Sequence, residues 1–157
     1  MGISFYINPE DKVKLEEKYT ELIRAKLPKN IADRLIKVGV YFEEYNQKVK
    51  IVILKAEDKY PSVIGAFSLS IFPDSWDIII SHDLYLREEF KNLGIGTILM
   101  ELKFEIMKLN VESLNHILCI VRKDNDVELH MMEKFDWKKI YEMENHFMFI
   151  KTLKKEN

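Results

Sequence analysis

The stretch Leu84-Tyr-Leu-Arg-Glu-Glu-Phe-Lys-Asn-Leu-Gly-Ile-Gly-Thr-Ile-Leu-Met100 decides how the rest of the chain is read. An apolar strand end runs into a loop, and Gly94 and Gly96 stand where an apolar helical pattern begins. At such a junction successive backbone N–H groups point outward together and form an anion nest, to which the helix dipole adds partial positive charge. The glycines carry no Cβ, so a phosphate can approach the main chain, and they tolerate positive φ. Two phosphate groups in tandem suit the loop. Other glycine-rich loops fail on spacing. A P-loop needs Gly-Lys-Ser/Thr after four intervening residues, whereas Gly96 is followed by Thr97-Ile98, and the dinucleotide fingerprint needs a third glycine where Leu99 stands. On the local pattern alone, a bare strand-to-helix turn without a ligand is the commoner explanation.

Upstream of the loop, Ile3, Phe5 and Ile7 alternate with polar residues as in a short strand, and Asn8-Pro9-Glu10-Asp11 marks the start of a helix running from Pro9 to about Leu27. After Pro28, the apolar residues Ile31, Leu35, Val38, Phe42 and Tyr45 recur at alternating spacings of four and three, which predicts a second helix to about Gln47. The period then changes to two. Runs at Val49 to Ile53, Val63 to Phe72 and Trp76 to Leu86, separated by Asp58-Lys59-Tyr60-Pro61 and Pro73-Asp74-Ser75, read as an antiparallel meander. Downstream, Thr97 to Leu109 is a helix, Ile117 to Val121 a buried strand, and Asn125 to Phe135 a helix. Lys138 to Glu144 and His146 to Leu153 form a closing hairpin. The order is that of an α+β fold with a mixed, mostly antiparallel sheet flanked by helices.

The composition bounds the function. The 157 residues, without an internal linker or repeat, read as a single domain spanning residues 1–157. One cysteine, Cys119, allows neither an intramolecular disulfide nor a cysteine-based zinc site, which points to a reducing compartment. The N-terminus lacks a signal-peptide pattern and no apolar run approaches the roughly 20 residues that span a bilayer, so a cytoplasmic protein without membrane association is expected. With 24 Lys+Arg against 26 Asp+Glu there is no basic excess for nucleic acid, and only four of the cations are arginines.

With these elements in order, Lys91-Asn92-Leu93-Gly94-Ile95-Gly96 resembles the Arg/Gln-x-x-Gly-x-Gly/Ala pyrophosphate loop of the GNAT superfamily of N-acetyltransferases. Leu86-Arg87-Glu88-Glu89-Phe90 precedes it where that family often has Val-x-Pro-Glu-Tyr. Ser62 to Phe67 resembles the family's third strand, and Asn125 to Trp137 its Asn-x-x-Ala-x-x-Leu-Tyr-Glu-Lys-x-Gly-Phe segment. The resemblance covers about the last three fifths of the chain. It implies acetyl-coenzyme A as donor, held between two splayed strands, with no metal. It also implies that the backbone N–H groups of Leu93, Gly94, Ile95, Gly96 and Thr97 meet the pyrophosphate and that the Leu86 N–H polarises the thioester carbonyl. The implied acceptor is a primary amine of a small molecule or a peptide; monomer or homodimer is left open.

Three positions depart from the family pattern. Lys91 keeps a cation near phosphates but lacks the planar fork of arginine. Asp136 replaces a glycine, at a place where Asp tolerates left-handed geometry. Met132 falls where the family commonly has the tyrosine thought to protonate the thiolate, and a thioether donates no proton. Tyr85, Tyr141 or a water then has to serve, or the protein binds acyl-CoA as a catalytically weak sensor or partner module.

For the base, His82 lies four residues before Leu86, and regular alternation places both on one face; a single extra residue reverses the parity and brings in Asp83 and Tyr85. Asn125 matches a family asparagine that meets the cofactor, while Asn125-x-x-Glu128 is also a capping box. Cys119 reads as a core residue rather than a nucleophile, with only His116 near it in sequence, His130 and His146 read as solvated surface residues, and Met131-Met132 as core or cofactor-wall packing. Glu43 and Glu44, expected near the end of the second helix, form a solvated face that can also greet a cationic amine.

Overall fold

A computed structural model describes residues 7–43, 48–71, 78–82, 84–110 and 116–152. Helix α1 (Pro9–Arg24) begins as its sequence dictates, with Pro9 at the first position and the Asn8 side chain accepting the Glu10 N–H at 2.8 Å. A single turn, α2 (Lys29–Ala32), leads into strands β1 (Leu35–Glu43), β2 (Lys48–Lys55), β3 (Ser62–Ile71), β4 (Ile78–Ser81) and β5 (Tyr85–Leu86). After a short 3-10 turn at Glu88–Phe90 come α3 (Ile95–Asn110), β6 (His116–Arg122), α4 (Asp126–Lys134), β7 (Lys138–Glu142) and β8 (His146–Thr152). The strand expected at Ile3–Ile7 lies outside the described residues except for Ile7, which is not in a strand.

Among the described residues eight strands form one mixed sheet in the order β1-β2-β3-β4-β6-β8-β7, with β5 paired to β3 alone. All pairs are antiparallel except β4 with β6. Alternate residues (Val49, Ile51, Phe67, Leu69, Ile79, Ile117, Cys119, Val121) are buried on one face, in a single core with residues of α1, α3 and α4. The opposite face, with Ala66, Ser70, Ile80, Leu118 and Ile120, is half-exposed. The side chains of Lys18 and Tyr19 both engage Glu105, tying α1 to α3. Burial, and then the Glu105 carboxylate, push the Tyr19 phenol above its ordinary range.

The long second helix is a correction: the segment is a one-turn helix followed by β1, and Glu43 closes a strand, while Glu44 lies outside the described residues. A register shift between Leu35 and Lys37 sets Leu35 and Val38 three residues apart with both buried, after which Val38 and Val40 alternate. A bulge followed by strand period, with Ile31 on the preceding turn, imitates the four-three spacing of a helix. Asp136 adopts φ 57°, the left-handed geometry expected where a glycine is usual.

Helix α1 also closes the free edge of β1. Thr20 Oγ1 accepts the buried Val38 N–H at 2.9 Å and Glu16 Oε2 accepts the Val40 N–H at 2.9 Å. Thr20→Val removes the first acceptor at nearly constant volume, and denaturant unfolding should show a loss of about 1–3 kcal/mol, while Thr20→Ser stays near wild type. An unchanged midpoint in Thr20→Val would contradict this edge seal.

Candidate functional site

Strands β4 and β6 run in parallel register from Ile78 opposite His116 to Ser81 opposite Cys119, and there the pairing stops. Beyond it the chain pairs only with β3, at Ala66 opposite Tyr85 and Gly65 opposite Leu86. Leu69 pairs with Ser81 and Gly65 with Leu86, so four steps along β3 are matched by five on the other strand. One extra residue therefore sits between Ser81 and Tyr85, as in a β-bulge. This corrects the regular-strand expectation for His82: Leu86 is buried on the core side, while His82 and Tyr85 are exposed. The His82 ring meets Ser70 Oγ through Nε2 at 2.7 Å, and the backbone N–H of His82 donates to Ser68 O. Asp83 lies outside the described residues.

The split is held by α4. Leu84 donates its N–H to Glu128 Oε2 at 3.0 Å, and Asn125 Nδ2 donates to Leu84 O at 2.9 Å. Asn125 Oδ1 accepts the Glu128 N–H at 3.1 Å, so the N-cap reading holds and both atoms of the amide are engaged. The Glu128 carboxylate, which the capping-box reading sends back to the Asn125 backbone, instead points into the protein. It is 0% exposed, accepts Cys119 Sγ–H at 3.2 Å and lies 3.6 Å from the Lys103 ammonium, itself 1% exposed and 5.2 Å from the Phe67 ring centroid.

Arg87 donates its N–H to Ile64 O on β3, so strand alternation turns the Leu86 N–H the other way, into the gap that β6 leaves. From that gap a groove runs to the glycine loop in two contiguous parts. One, of about 510 Å³, is lined by Tyr85, Leu86, Arg122, Asp124 and Asn125 among others. The other, of about 460 Å³, is lined by Leu86, Lys91, Gly94, Gly96, Thr97 and the α4 residues Val127, His130, Met131 and Lys134. The parts share Leu86, Glu88, Lys91 and Val127.

The loop has the torsions of a nest: Asn92 at φ 64° and Gly94 at φ 85°. The first-turn N–H groups of α3, from Ile95 through Thr97, have no acceptor within the helix. Gly96 serves close packing, since a Cβ there would stand 3.3 Å from Met131 Sδ. Leu93 is half-buried and Ile95 fully buried. Lys91 binds Glu88 at 2.8 Å, a contact that raises its pKa, and Lys134 donates to Thr97 Oγ1 at 2.6 Å. At the other end Arg122 binds Asp124 at 3.1 Å and holds its carboxyl below the usual range.

The structure thus brings Tyr85, Leu86, Lys91, Gly94, Gly96, Thr97 and Asn125 to one groove, while His82 does not line it. Met132 is fully buried in the core and Tyr141 is exposed on β7. Missing from the sequence reading were His130 and Lys134 as groove residues and the pair Lys103–Glu128. The signals existed. Val127, His130, Met131 and Lys134 follow helical spacing on one face, and Lys103 interrupts the apolar stripe of α3 between Leu99 and Ile106. Among the described residues no group of three or more His, Cys, Asp or Glu side chains could hold a metal ion, and no helix is long and apolar enough to cross a membrane.

Cys119 is fully buried, and burial, then the nearby Glu128 carboxylate, raise its thiol well above the ordinary value. A thiol-specific disulfide reagent at pH 8 should therefore modify the native protein at least about a thousandfold more slowly than the unfolded chain. Rapid modification of folded protein would contradict the enclosure.

Residues 15–137 match the model of the Acetyltransferase (GNAT) family. Comparison with curated proteins gives no match. Among solved structures, the PaiA N-acetyltransferase of Thermoplasma acidophilum in complex with coenzyme A is 19% identical at a TM-score of 0.50. That likeness covers 68% of this chain and 61% of that one, so the match spans about three fifths of the relative's length. Ard1 of Thermoplasma volcanium is 18% identical at a TM-score of 0.53, over 68% of this chain and 71% of that one. A domain from Methanocaldococcus jannaschii is 16% identical at 0.54, over 94% and 95%. These structural likenesses speak for the fold; the family match spans most of the chain, loop and split sheet included, and the chain belongs to the GNAT acetyltransferase family.

Proposed function

We propose that the protein is an acetyl-CoA-dependent N-acetyltransferase that moves an acetyl group to a primary amine of a small molecule or peptide. The observation that carries this reading is one continuous groove, with a backbone N–H donor at Leu86 in the split and an anion nest at the other end. An anionic pyrophosphate suits the N–H groups of Leu93, Gly94, Ile95, Gly96 and Thr97, with Lys91 and Lys134 beside them. The residues present fit the coenzyme: Gly94 adds no Cβ to the groove, and the cations at the loop are side chains that can leave Glu88 and Thr97 for phosphate. When bound, the coenzyme supplies an acyl group activated as a thioester.

The chain's own part is to place and polarise. The Leu86 N–H is aimed where charge develops on a carbonyl oxygen. Helices α1, α3 and α4 pack on the core face, so an amine arrives over the half-exposed face, where His82 and Tyr85 stand. His82 is the residue we assign to accept the amine proton, directly or through water, and Tyr85 the one to return a proton to the thiolate in place of Met132. A thiol with a pKa near 8.5 leaves with modest help, so the second role is the less demanding.

Acetyl-CoA at a hundred times its dissociation constant should stabilise the protein by roughly 2.7 kcal/mol, a rise in melting temperature of about 5–10 °C. Gly94→Val should abolish that rise, because valine is strained at φ 85° and the loop must leave the nest torsions to relieve it. No shift with wild-type protein would overturn the reading, and an equal shift in Gly94→Val would move the site elsewhere.

With a saturating amine, the rate should rise with pH through an apparent pKa that vanishes in His82→Ala, which should lower kcat by about 10². Tyr85→Phe should lower kcat with acetyl-CoA affinity within a few fold of wild type. Bound CoA without transfer to polyamines, amino acids or peptide N-termini at any pH would favour the sensor reading.

A further inference from the structure

Leu84 lies three residues beyond Ser81, the last residue of this segment paired to β6, and one step before β5. Both its backbone groups are taken by side chains at the start of α4, the N–H by Glu128 and the carbonyl by the N-cap Asn125. An N–H given to a carboxylate is a strong, charge-assisted bond, and it is not available to a neighbouring strand. The price is a fully buried carboxylate. Lys103 of α3, 3.6 Å away, supplies the counter-charge from within the core, where the ammonium also faces the Phe67 ring. A buried pair of this kind commonly adds nothing to stability over apolar residues of similar size, so stability is a weak reason for its presence.

We infer that Glu128 is a positioning residue that clamps the Leu84 N–H, keeps β5 off β6, and so fixes where the open strand edge presented to the coenzyme begins. The Leu84 N–H is closed to a ligand and that of Leu86, two residues on, is open. Lys103 acts through Glu128 by holding its carboxylate in place from within the core. This inference rests on the coenzyme-binding role proposed above and assigns the shape of that site to two residues that line no part of the groove.

Two paired variants separate the clamp from the ion pair. In Lys103→Met/Glu128→Gln the charges are gone but the amide oxygen can still accept the Leu84 N–H; in Lys103→Met/Glu128→Leu the acceptor is gone as well. Coenzyme A affinity by calorimetry should stay within threefold of wild type in the first and fall at least tenfold in the second, with melting temperatures within a few degrees of each other. Protection of the Leu84 amide from hydrogen exchange should survive in the first and be lost in the second. Equal affinity and equal protection in the two would overturn the inference. If wild-type protein binds no coenzyme A, the function proposed above fails, and the exchange comparison still decides whether Glu128 clamps Leu84. Should the leucine variant not fold, the wild-type Leu84 amide decides: protection comparable with that of paired core amides supports the clamp, and exchange at loop rates overturns it.

Discussion

The groove depends on a backbone N–H that no strand receives. If β6 continued to pair beyond Ser81 and Cys119, the sheet would close and leave no edge for a ligand. Instead the Leu84 N–H is bonded to Glu128 and its carbonyl to Asn125, both at the start of α4. A buried backbone group left unpaired would cost a few kcal/mol, so the split persists because α4 satisfies it from the side. The one-residue bulge has the same origin in space: it lies at the point where the chain changes from pairing on two sides to pairing on one.

From that constraint the placement of the remaining parts follows. Leu86, paired only to β3, turns its N–H into the gap, and six residues after it the left-handed Asn92 begins the turn that raises Gly94 and the first turn of α3. Helix α4 supplies the clamp with its first turn and the groove wall with Val127, His130, Met131 and Lys134. Gly96 lets the two helices approach, since a side chain there would meet Met131. At its far end Phe104 of α3 packs 6.0 Å from the Phe135 ring and 6.4 Å from that of Trp137. The helices thus meet at Gly96 with Met131 and again at Phe104 with Phe135.

Much of this was legible from local rules. Asn8-Pro9 started α1, the glycines of the loop marked the nest and the start of α3, and Asp136 took the left-handed geometry expected of it. The misreadings share one cause, an inserted residue in a strand. At Leu35 to Lys37 it turned a strand pattern into an apparent helix, and between Ser81 and Tyr85 it moved His82 to the face opposite Leu86. A bulge is set by what the neighbouring elements can satisfy, and α1 and α4 are distant in sequence from the strands they serve. The same holds for Lys103 and Glu128. Each is visible as a charge in an apolar stripe or at a cap, but only the tertiary fold sets them 3.6 Å apart.

The central claim is that the open edge at Leu86 and the nest at Gly94 belong to one ligand. The most direct measurement is a titration of isotope-labelled protein with coenzyme A, followed by the amide resonances. Leu86, Gly94, Ile95, Gly96 and Thr97 should shift together along one binding curve, while amides of β1 and β7 stay in place. Shifts confined to the loop with Leu86 unmoved, or shifts centred on another surface, would contradict it.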